Sequence, residues 1–417
     1  MRRSPVDSRT AVAAGFGLAV IALPIYWLSA HAFDAGRPDL FYLADAFLHD
    51  RTWLALPLGP YDVIQYGGHY YVPFPPFPAI AFMPLVALIG PAMSHAWEPL
   101  INATLAAVDV GLAWWLLGRL GVRGLLDRGW LTVLLGFSTA IWWVTTRGGV
   151  WHTGHLIAVL LSLAILIEVF GKRRPWLLGL LVGAAFLTRP PLALAVPYVA
   201  WVVAVRPAAA GPGTTDRAVA DVGDDPRWRI LSSWPWRRWI LVGLGLLPAL
   251  LFFFWYNAAR FGSPLESGYE LATLPAWLGL QRQQGLFSLA HLGMNIDYLF
   301  LHLPTVIPGF PWFKPDGLGL SIFLTSPGLL LALRADWHSR RTWALALTFL
   351  AVLVPDLLYY GGGWLQYGYR YALDAIPFAF ALCGLAAARH GVGWGWRALI
   401  GFGVVVNLAG VYWAYHL

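Results

Sequence analysis

Charged residues are scarce in this sequence. Of its 417 residues, 12% are Asp, Glu, Lys or Arg, whereas about 25% is usual for soluble domains. So few charges cannot cover the surface of the two or three soluble domains that this length would otherwise suggest. The net charge of +7 does not indicate a nucleic-acid partner, because the basic residues stand in short clusters between apolar segments. A soluble multidomain protein is therefore excluded.

Cysteine is almost absent. The single Cys383 lies inside an apolar segment, which excludes a disulfide framework and a cysteine-ligated zinc site. We expect neither a metal nor an organic cofactor.

Apolar residues make up 59% of the chain, and apolar runs near the ~20-residue length of a membrane span recur throughout it. These runs predict an all-α, polytopic bundle of about eleven transmembrane helices that forms one integral-membrane domain over 1–417. The predicted spans are 11–30, 100–119, 129–146, 152–171, 176–188, 190–205, 239–259, 318–334, 342–360, 371–388 and 398–415.

The basic residues decide how segment 76–92 is read. It is apolar but short, and it contains four prolines. If it does not cross the membrane, 20 of the 28 Lys and Arg residues fall on one side and 8 on the other. Basic residues concentrate on the cytoplasmic side, so we predict a cytoplasmic N-terminus, an outer C-terminus and a plasma-membrane location, with 76–92 dipping into the outer face.

Three long connections follow from this topology. The cytoplasmic segment 207–236 is rich in Gly, Ala and Asp and is predicted to be a flexible linker. The outer segments 31–99 and 260–317 are aromatic and proline-rich. We expect them to be ordered, with juxtamembrane helices in the first, and to carry the functional site.

Four carboxylates follow the first predicted span. Asp34, Asp39, Asp45 and Asp50 lie within one short stretch, and a helix is predicted to begin near Pro38 because proline suits a first helical turn. They either solvate an outer helix or take part in chemistry.

Five cations stand at outer ends of predicted spans, against the charge bias: Arg147, Arg189, Arg260, Lys314 and Arg370. Each needs a partner. The partner is either an acid, such as Asp374 four residues after Arg370, or an anionic ligand such as a lipid phosphate.

Other polar residues in the spans leave alternatives open. Asp109 lies near the middle of a span, where a carboxylate indicates either ion transport or a hydrogen bond between helices. His152 and His155 are three residues apart at the outer start of a helix. That spacing can hold a metal, although no third ligand is evident.

Several motifs together resemble the GT-C superfamily of integral-membrane glycosyltransferases, especially bacterial relatives of dolichyl-phosphate-mannose protein mannosyltransferases. The matching elements, in chain order, are PDLFYLADAFLHD, YVPFPPFPAIAFMPLVAL, GAAFLTRPP, YNAARFGSPLESGY and GYRYALDAIPF.

The resemblance implies a polyprenyl-phosphate-sugar donor and a catalytic base in the first outer loop. The base falls on Asp39. Because Leu40 stands where the family has Glu, Asp34 and Asp45 remain alternatives. The predicted donor-phosphate ligands are Arg189, Arg260, Arg370 and Arg147, and the predicted substrate contacts are Tyr42, His69, Tyr70 and Tyr71.

The expected function is therefore an inverting glycosyl transfer to an acceptor hydroxyl at the outer face. Two alternatives remain. One is a transporter or lipid flippase, for which a midplane acid would matter. The other is a non-catalytic protein of the same fold in cell-envelope glycan assembly. A sugar-transfer assay separates all three.

Overall fold

The structure, a computed structural model, describes residues 8–30, 36–205, 235–363 and 365–416, with side chains from Ala13 onward. Asp34 and nearly all of the predicted linker 207–236 lie outside this part of the chain. Within it the protein is mostly helical, as predicted. The α-helices are α1 Ser8–Ser29, α2 Asp39–Leu48, α3 Phe77–Ile89, α4 Pro91–Ala96, α5 Glu98–Arg119, α6 Leu125–Phe137, α7 Ile141–Val144, α8 Val150–Val169, α9 Pro175–Phe186, α10 Val196–Ala204, α11 Trp236–Phe261, α12 Ala276–Arg282, α13 Leu292–Ile296, α14 Ile322–Thr325, α15 Arg340–Leu358, α16 Ile376–His390 and α17 Trp394–Ala414.

Short irregular elements complete the chain. Two antiparallel hairpins pair β1 Ile64–Tyr66 with β2 His69–Tyr71 and β3 Thr305–Val306 with β4 Phe313–Lys314. The 3₁₀ segments are Pro190–Ala195, Tyr269–Leu271, Leu289–His291, Pro327–Arg334 and Arg370–Asp374, and Asp297–Leu301 is a π-helical turn.

In the described residues, five helices are long and apolar enough to cross a membrane: α5, α8, α11, α15 and α17. Shorter apolar helices lie in four of the other six predicted spans, so the count of eleven stays a prediction. The remaining two predicted spans are each divided between two short helical segments. Segment 129–146 is divided between α6 and α7, and 318–334 between α14 and a 3₁₀ segment beginning at Pro327, where the proline has no N–H for a helical hydrogen bond.

Helix α8 lies at the centre of the bundle and α11 at its edge. In their most apolar stretches 83% of α8 is buried inside the protein, but only 22% of α11. Glycines bring α11 against α9: a Cβ at Gly179 would collide with the Val242 carbonyl, and one at Gly245 with the Trp176 carbonyl. Such contacts between small residues are how helices associate where lipid replaces water.

The two long segments that are predicted to lie outside pack on each other. In the first, α2, α3 and α4 pack together, and Gly67 and Gly68 form the turn of the β1–β2 hairpin with positive φ angles of 56° and 80°, as their sequence predicts. Thr273 of the second segment donates from its backbone N–H to the Val63 carbonyl at 2.8 Å. This pairing fixes the loop before β1 above the helix bundle.

Candidate functional site

Asp39 forms a two-point ion pair with Arg37. Arg37 Nε donates to Asp39 Oδ2 at 2.9 Å, and Nη2 donates to Oδ1 at 2.7 Å. Asp39 is the first residue of α2, after Pro38, where the unpaired backbone N–H groups of a helix favour a carboxylate. Its side chain is fully buried, whereas Arg37 keeps slight exposure. Both oxygens of this carboxylate are therefore held in one orientation.

Arg37 also joins the start of α2 to neighbouring segments. Its Nη1 donates to the Tyr61 carbonyl, and its Nη2 to the Asp62 carbonyl at 3.3 Å. Its guanidinium carbon lies 6.0 Å from the ring centre of Trp151, at the start of α8. The acidic loop thus meets the buried central helix at this point.

The close approach of the two segments depends on Gly36. It has a φ of +65°, and a Cβ there would lie 2.7 Å from the Gly148 carbonyl oxygen. Only glycine allows both this backbone conformation and this contact.

Asp62 is a second carboxylate next to Arg37, and sequence reasoning missed it. It is half-buried. Burial raises the pKa of Asp62; the Arg37 charge opposes this rise, the Asp39 charge adds to it, and the Arg370 charge opposes it. A half-buried acid with a raised pKa beside two arginines is typical of functional sites.

Arg189 lies in a buried network with Asp374. Arg189 Nε donates to Asp374 Oδ2 at 2.7 Å, and His155 Nδ1 lies 3.2 Å from Asp374 Oδ1. Asp356 Oδ1 is 3.5 Å from Arg189 Nη2. Of the two alternatives open for Arg370, a carboxylate or an anionic ligand, Asp374 is not the partner, because the 3₁₀ turn over Arg370–Asp374 places its carboxylate against Arg189. Sequence reasoning also missed Asp356. The signal for it was its position as an acid within an apolar run.

Arg370 is buried without a carboxylate. Its side chain is 5% exposed, and among the described residues no acid lies within ion-pair distance and Nε has no hydrogen-bond partner. Its guanidinium carbon lies 5.5 Å from the ring centre of Tyr371. Asp62 is near enough for the two charges to interact. A buried cation in this state is suited to an incoming anion.

Tyrosines line the region between these arginines. The Tyr371 ring lies 5.1 Å from the Arg189 guanidinium carbon and 5.9 Å from the Tyr359 ring, and Tyr360 packs on Tyr359 at 4.7 Å. Burial raises the pKa of Tyr269 to about 12, against the effect of Arg189. Like any tyrosine hydroxyl, that of Tyr269 is a hydrogen-bond donor at neutral pH.

Arg260 and Arg147 lie apart from this cluster. Arg260 donates to the Val72 carbonyl at 3.2 Å and to Asn257 Oδ1 at 2.8 Å, and its guanidinium carbon lies 3.8 Å from the Tyr256 ring centre. It fastens the β1–β2 hairpin to α11. Arg147 Nη2 donates to the Ala414 carbonyl at 2.9 Å, which joins α17 to the loop before α8.

The remaining first-loop predictions fall on other surfaces. Asp45 faces outward beside His49 and Arg51, at 3.6 and 3.8 Å. The others pack within the loop: Tyr42 and Tyr70 contact a small apolar cluster around Phe41, His69 stacks on Trp53 at 4.3 Å, and Tyr71 lies 5.4 Å from Phe261. None of these contacts joins the Asp39 or Arg370 side chain.

The polar residues of the spans also have defined surroundings. His155 pairs with Asp374, and His152 Nδ1 lies 3.0 Å from the Gly148 carbonyl. Among the described residues no three His, Cys, Asp or Glu side chains gather as a metal site requires. Asp109 is buried, and neither of its oxygens has a hydrogen-bond partner in the described part of the chain.

Glu98 is a further buried acid that sequence reasoning missed. It accepts from Thr153 Oγ1 at 2.6 Å, and His95 Nδ1 lies 3.0 Å from its other oxygen. Thr153 also contacts Asn102 at 2.9 Å. This network joins α5 to α8 and supports the loop that contacts Gly36.

The structure thus defines a class: a helical membrane protein with a buried arginine, carboxylate and tyrosine site at one end of its central helix. Over 168 residues the chain is 31% identical to a Mycobacterium tuberculosis protein, the polyprenol-phosphate-mannose-dependent alpha-(1-2)-phosphatidylinositol mannoside mannosyltransferase. The match covers 39% of this chain and 35% of that relative. No family model and no solved structure matches the chain significantly.

Proposed function

We propose that this protein is a glycosyltransferase that moves a sugar from a polyprenyl-phosphate donor to an acceptor hydroxyl at the outer membrane face. The observation that carries the proposal is buried Arg370, which lies near Asp62 and the Arg37–Asp39 pair and has no carboxylate partner in the described chain. The distant relative's dependence on polyprenol-phosphate-mannose supports the donor class. Polyprenyl-phosphate-mannose is therefore the first donor to test.

The reaction requires little of the protein beyond charge and position. The acceptor oxygen bonds to the anomeric carbon while the bond from that carbon to the phosphate oxygen breaks, and the electron pair leaves with polyprenyl phosphate. Direct attack inverts the anomeric configuration. Arg370 stabilises the negative charge that develops on the departing phosphate, and the Tyr269 hydroxyl is a further donor in the same region.

A carboxylate must take the proton of the acceptor hydroxyl. We assign this role to Asp39, in accord with the GT-C resemblance. An ionised carboxylate has about four lone-pair positions, so the two hydrogen bonds from Arg37 leave the oxygens able to accept. Asp39 is buried, and the loop of Asp62 lies next to it through the hydrogen bond from Arg37 to the Asp62 carbonyl. Asp62 is half-buried and is the competing proton acceptor.

Arg189 is a second phosphate ligand only if it leaves Asp374. The positive charge of Arg189 is already compensated by its ion pairs with Asp374 and Asp356. Arg370 has no such carboxylate partner in the described chain. Arg260 and Arg147 already donate to backbone carbonyls. Of the four predicted phosphate ligands, Arg370 is thus the one that its surroundings favour.

The test is a transfer assay with the full chain in lipid nanodiscs. Polyprenyl-phosphate-mannose is supplied with a panel of hydroxyl acceptors, and released polyprenyl phosphate and mannosylated product are measured. We expect both to form in equal amounts with inverted configuration. Donor binding without turnover across the whole panel would contradict the proposal. Transfer that proceeds at the wild-type rate in Arg370→Gln would contradict the role of Arg370.

One observation favours the transporter alternative. Asp109 is a buried intramembrane carboxylate without a hydrogen-bond partner in the described chain, and such groups occur in transport pathways. Translocation of a labelled polyprenyl-phosphate sugar across vesicles, abolished by Asp109→Asn and unaccompanied by transfer, would establish that function instead.

A further inference from the structure

A second basic site lies at the far end of α8 from the candidate functional site. Helix α8 begins at Val150, near Arg37, and its 20 residues end at Val169. At 1.5 Å per residue its length is about 30 Å, which is the thickness of the hydrocarbon core of a bilayer. The two sites therefore face opposite membrane surfaces.

The site is a small, open cleft between the ends of α8, α10 and α15. Its walls are mainly apolar, and its polar lining consists of two arginines and a tyrosine. The lining residues are Val169, Phe170, Arg173, Tyr198, Trp201, Val202, Val205 and Arg341. Among the residues that the structure describes, no acid lines this cleft. Glu168, next to it in sequence, accepts from Arg174 at 2.8 Å, so its charge is already compensated.

The arginines are held with their charges close together. Arg173 donates from Nε to the Val169 carbonyl at 3.1 Å, and the Arg341 guanidinium carbon lies 5.3 Å from the Phe170 ring centre. Burial lowers the pKa of Arg173, and the Arg341 charge lowers it further, with a smaller effect of Arg238. Arg173 also has a left-handed φ of 53°. Such strain persists where the surroundings require a fixed side-chain position.

Tyr198 provides an independent indication of a ligand. Its side chain is 4% exposed and lines the cleft, yet its hydroxyl has no hydrogen-bond partner in the described part of the chain. Buried hydroxyls are nearly always paired. An oxygen-rich anion in the cleft would accept from this hydroxyl and from the guanidinium groups together.

We propose that this cleft binds a phosphate group, carried by an anionic phospholipid of the leaflet opposite the candidate functional site, with Arg173 and Arg341 as its cationic ligands and Tyr198 as a neutral donor. The apolar walls formed by Trp201, Val202 and Val205 suit the acyl region of such a lipid. A free phosphate ion has the same oxygens but no acyl chains to contact those apolar walls. The inference does not depend on glycosyl transfer.

The test measures lipid binding by the full chain. Native mass spectrometry follows displacement of phosphatidylcholine by phosphatidylglycerol, and a parallel titration uses inorganic phosphate alone. We expect phosphatidylglycerol affinity to fall about tenfold or more in Arg173→Gln and in Arg341→Gln, because a charged hydrogen bond is lost in each. Tyr198→Phe should cause a smaller loss and leave the fold intact.

The matched control is Arg123→Gln, which removes one exposed cation predicted to lie on the same membrane side. It should leave the affinity unchanged. Equal phosphatidylglycerol affinity in the wild type and in all four variants would overturn the proposal. Saturable phosphate binding that Tyr198→Phe weakens, without any preference for phosphatidylglycerol, would support the anion site but overturn the lipid as its source.

Discussion

Arg37 donates hydrogen bonds to both carboxylate oxygens of Asp39, at 2.9 and 2.7 Å. It also donates to the backbone carbonyl of Asp62 and so positions the loop of that residue. The same arginine therefore orients Asp39, the proposed base, and positions Asp62, the competing proton acceptor. This arrangement makes the two carboxylates separable by substitution, because they differ in burial and in what they contact.

For Asp39, we expect Asp39→Asn to lower turnover by about 10²- to 10⁴-fold, the usual worth of general-base catalysis. The substitution is nearly isosteric, so donor affinity should remain. Steady-state transfer rates and donor titration provide the measurement. Asp45→Asn, on the exposed face of α2, is the control. If Asp39→Asn keeps near-normal turnover while Asp62→Asn is inactive, Asp62 is the general base.

For Arg370, Arg370→Lys should weaken donor affinity and turnover by tenfold or more, because an ammonium does not reproduce the planar fork of a guanidinium. Arg260→Lys changes the same residue type at a site that already donates to Val72 and Asn257. It should affect stability more than affinity. If Arg370→Lys retains normal donor affinity, the phosphate lies elsewhere.

For Arg189, the ion pair with Asp374 predicts a role in stability. Arg189→Met leaves a buried carboxylate without its main partner, and breaking a buried pair in this way costs about 3–5 kcal/mol. Unfolding in detergent by denaturant measures the change. Arg51→Met, which removes a partly exposed partner of Asp45, should cost under about 1 kcal/mol. Equal effects of the two substitutions would refute the structural role.

For His302, we predict a pH-dependent contact in the second outer segment. Its Nδ1 lies 2.9 Å from Asp297 and its Nε2 lies 2.8 Å from Asp316. Partial burial lowers the pKa of His302, but the hydrogen bonds to the two carboxylates outweigh it and raise that pKa overall. A raised pKa adds stability that is complete below the unfolded value near 6.5 and is lost as pH rises through the folded value.

Hydrogen exchange over residues 297–316 measures this effect. After correction for intrinsic rates, protection should be greater at pH 5.5 than at pH 8.5. His302→Gln should remove the difference. The same pH dependence in His302→Gln would show that another group is responsible.

For topology, we predict that α3 does not cross the membrane. It has 13 residues, which is short of the ~20 needed for a span. Arg123→Cys, in a Cys383→Ala background, should react with an impermeant thiol reagent only from the cytoplasmic side. Labelling from outside would mean that segment 76–92 crosses.

The first outer segment shows what local sequence determines. Proline at position 38 followed by Asp39 sets the start of α2, and Gly67-Gly68 sets the hairpin turn, because each depends on the backbone preferences of a few adjacent residues. The apolar runs likewise determine that the chain is mostly helical and suited to a membrane.

The tertiary structure decided which charged side chains pair with each other. Asp374 and Arg370 are four residues apart, yet the carboxylate pairs with Arg189, 185 positions away. Asp62 became part of the site only because Arg37 reaches its loop across the fold. Ion pairs form between whichever charges the packed helices bring together in a medium of low polarity, where an unpaired charge is costly. The sequence identified the arginines as candidates. The fold separated Arg370, which has no acid within ion-pair distance among the described residues, from Arg189 and Arg260, which already have partners.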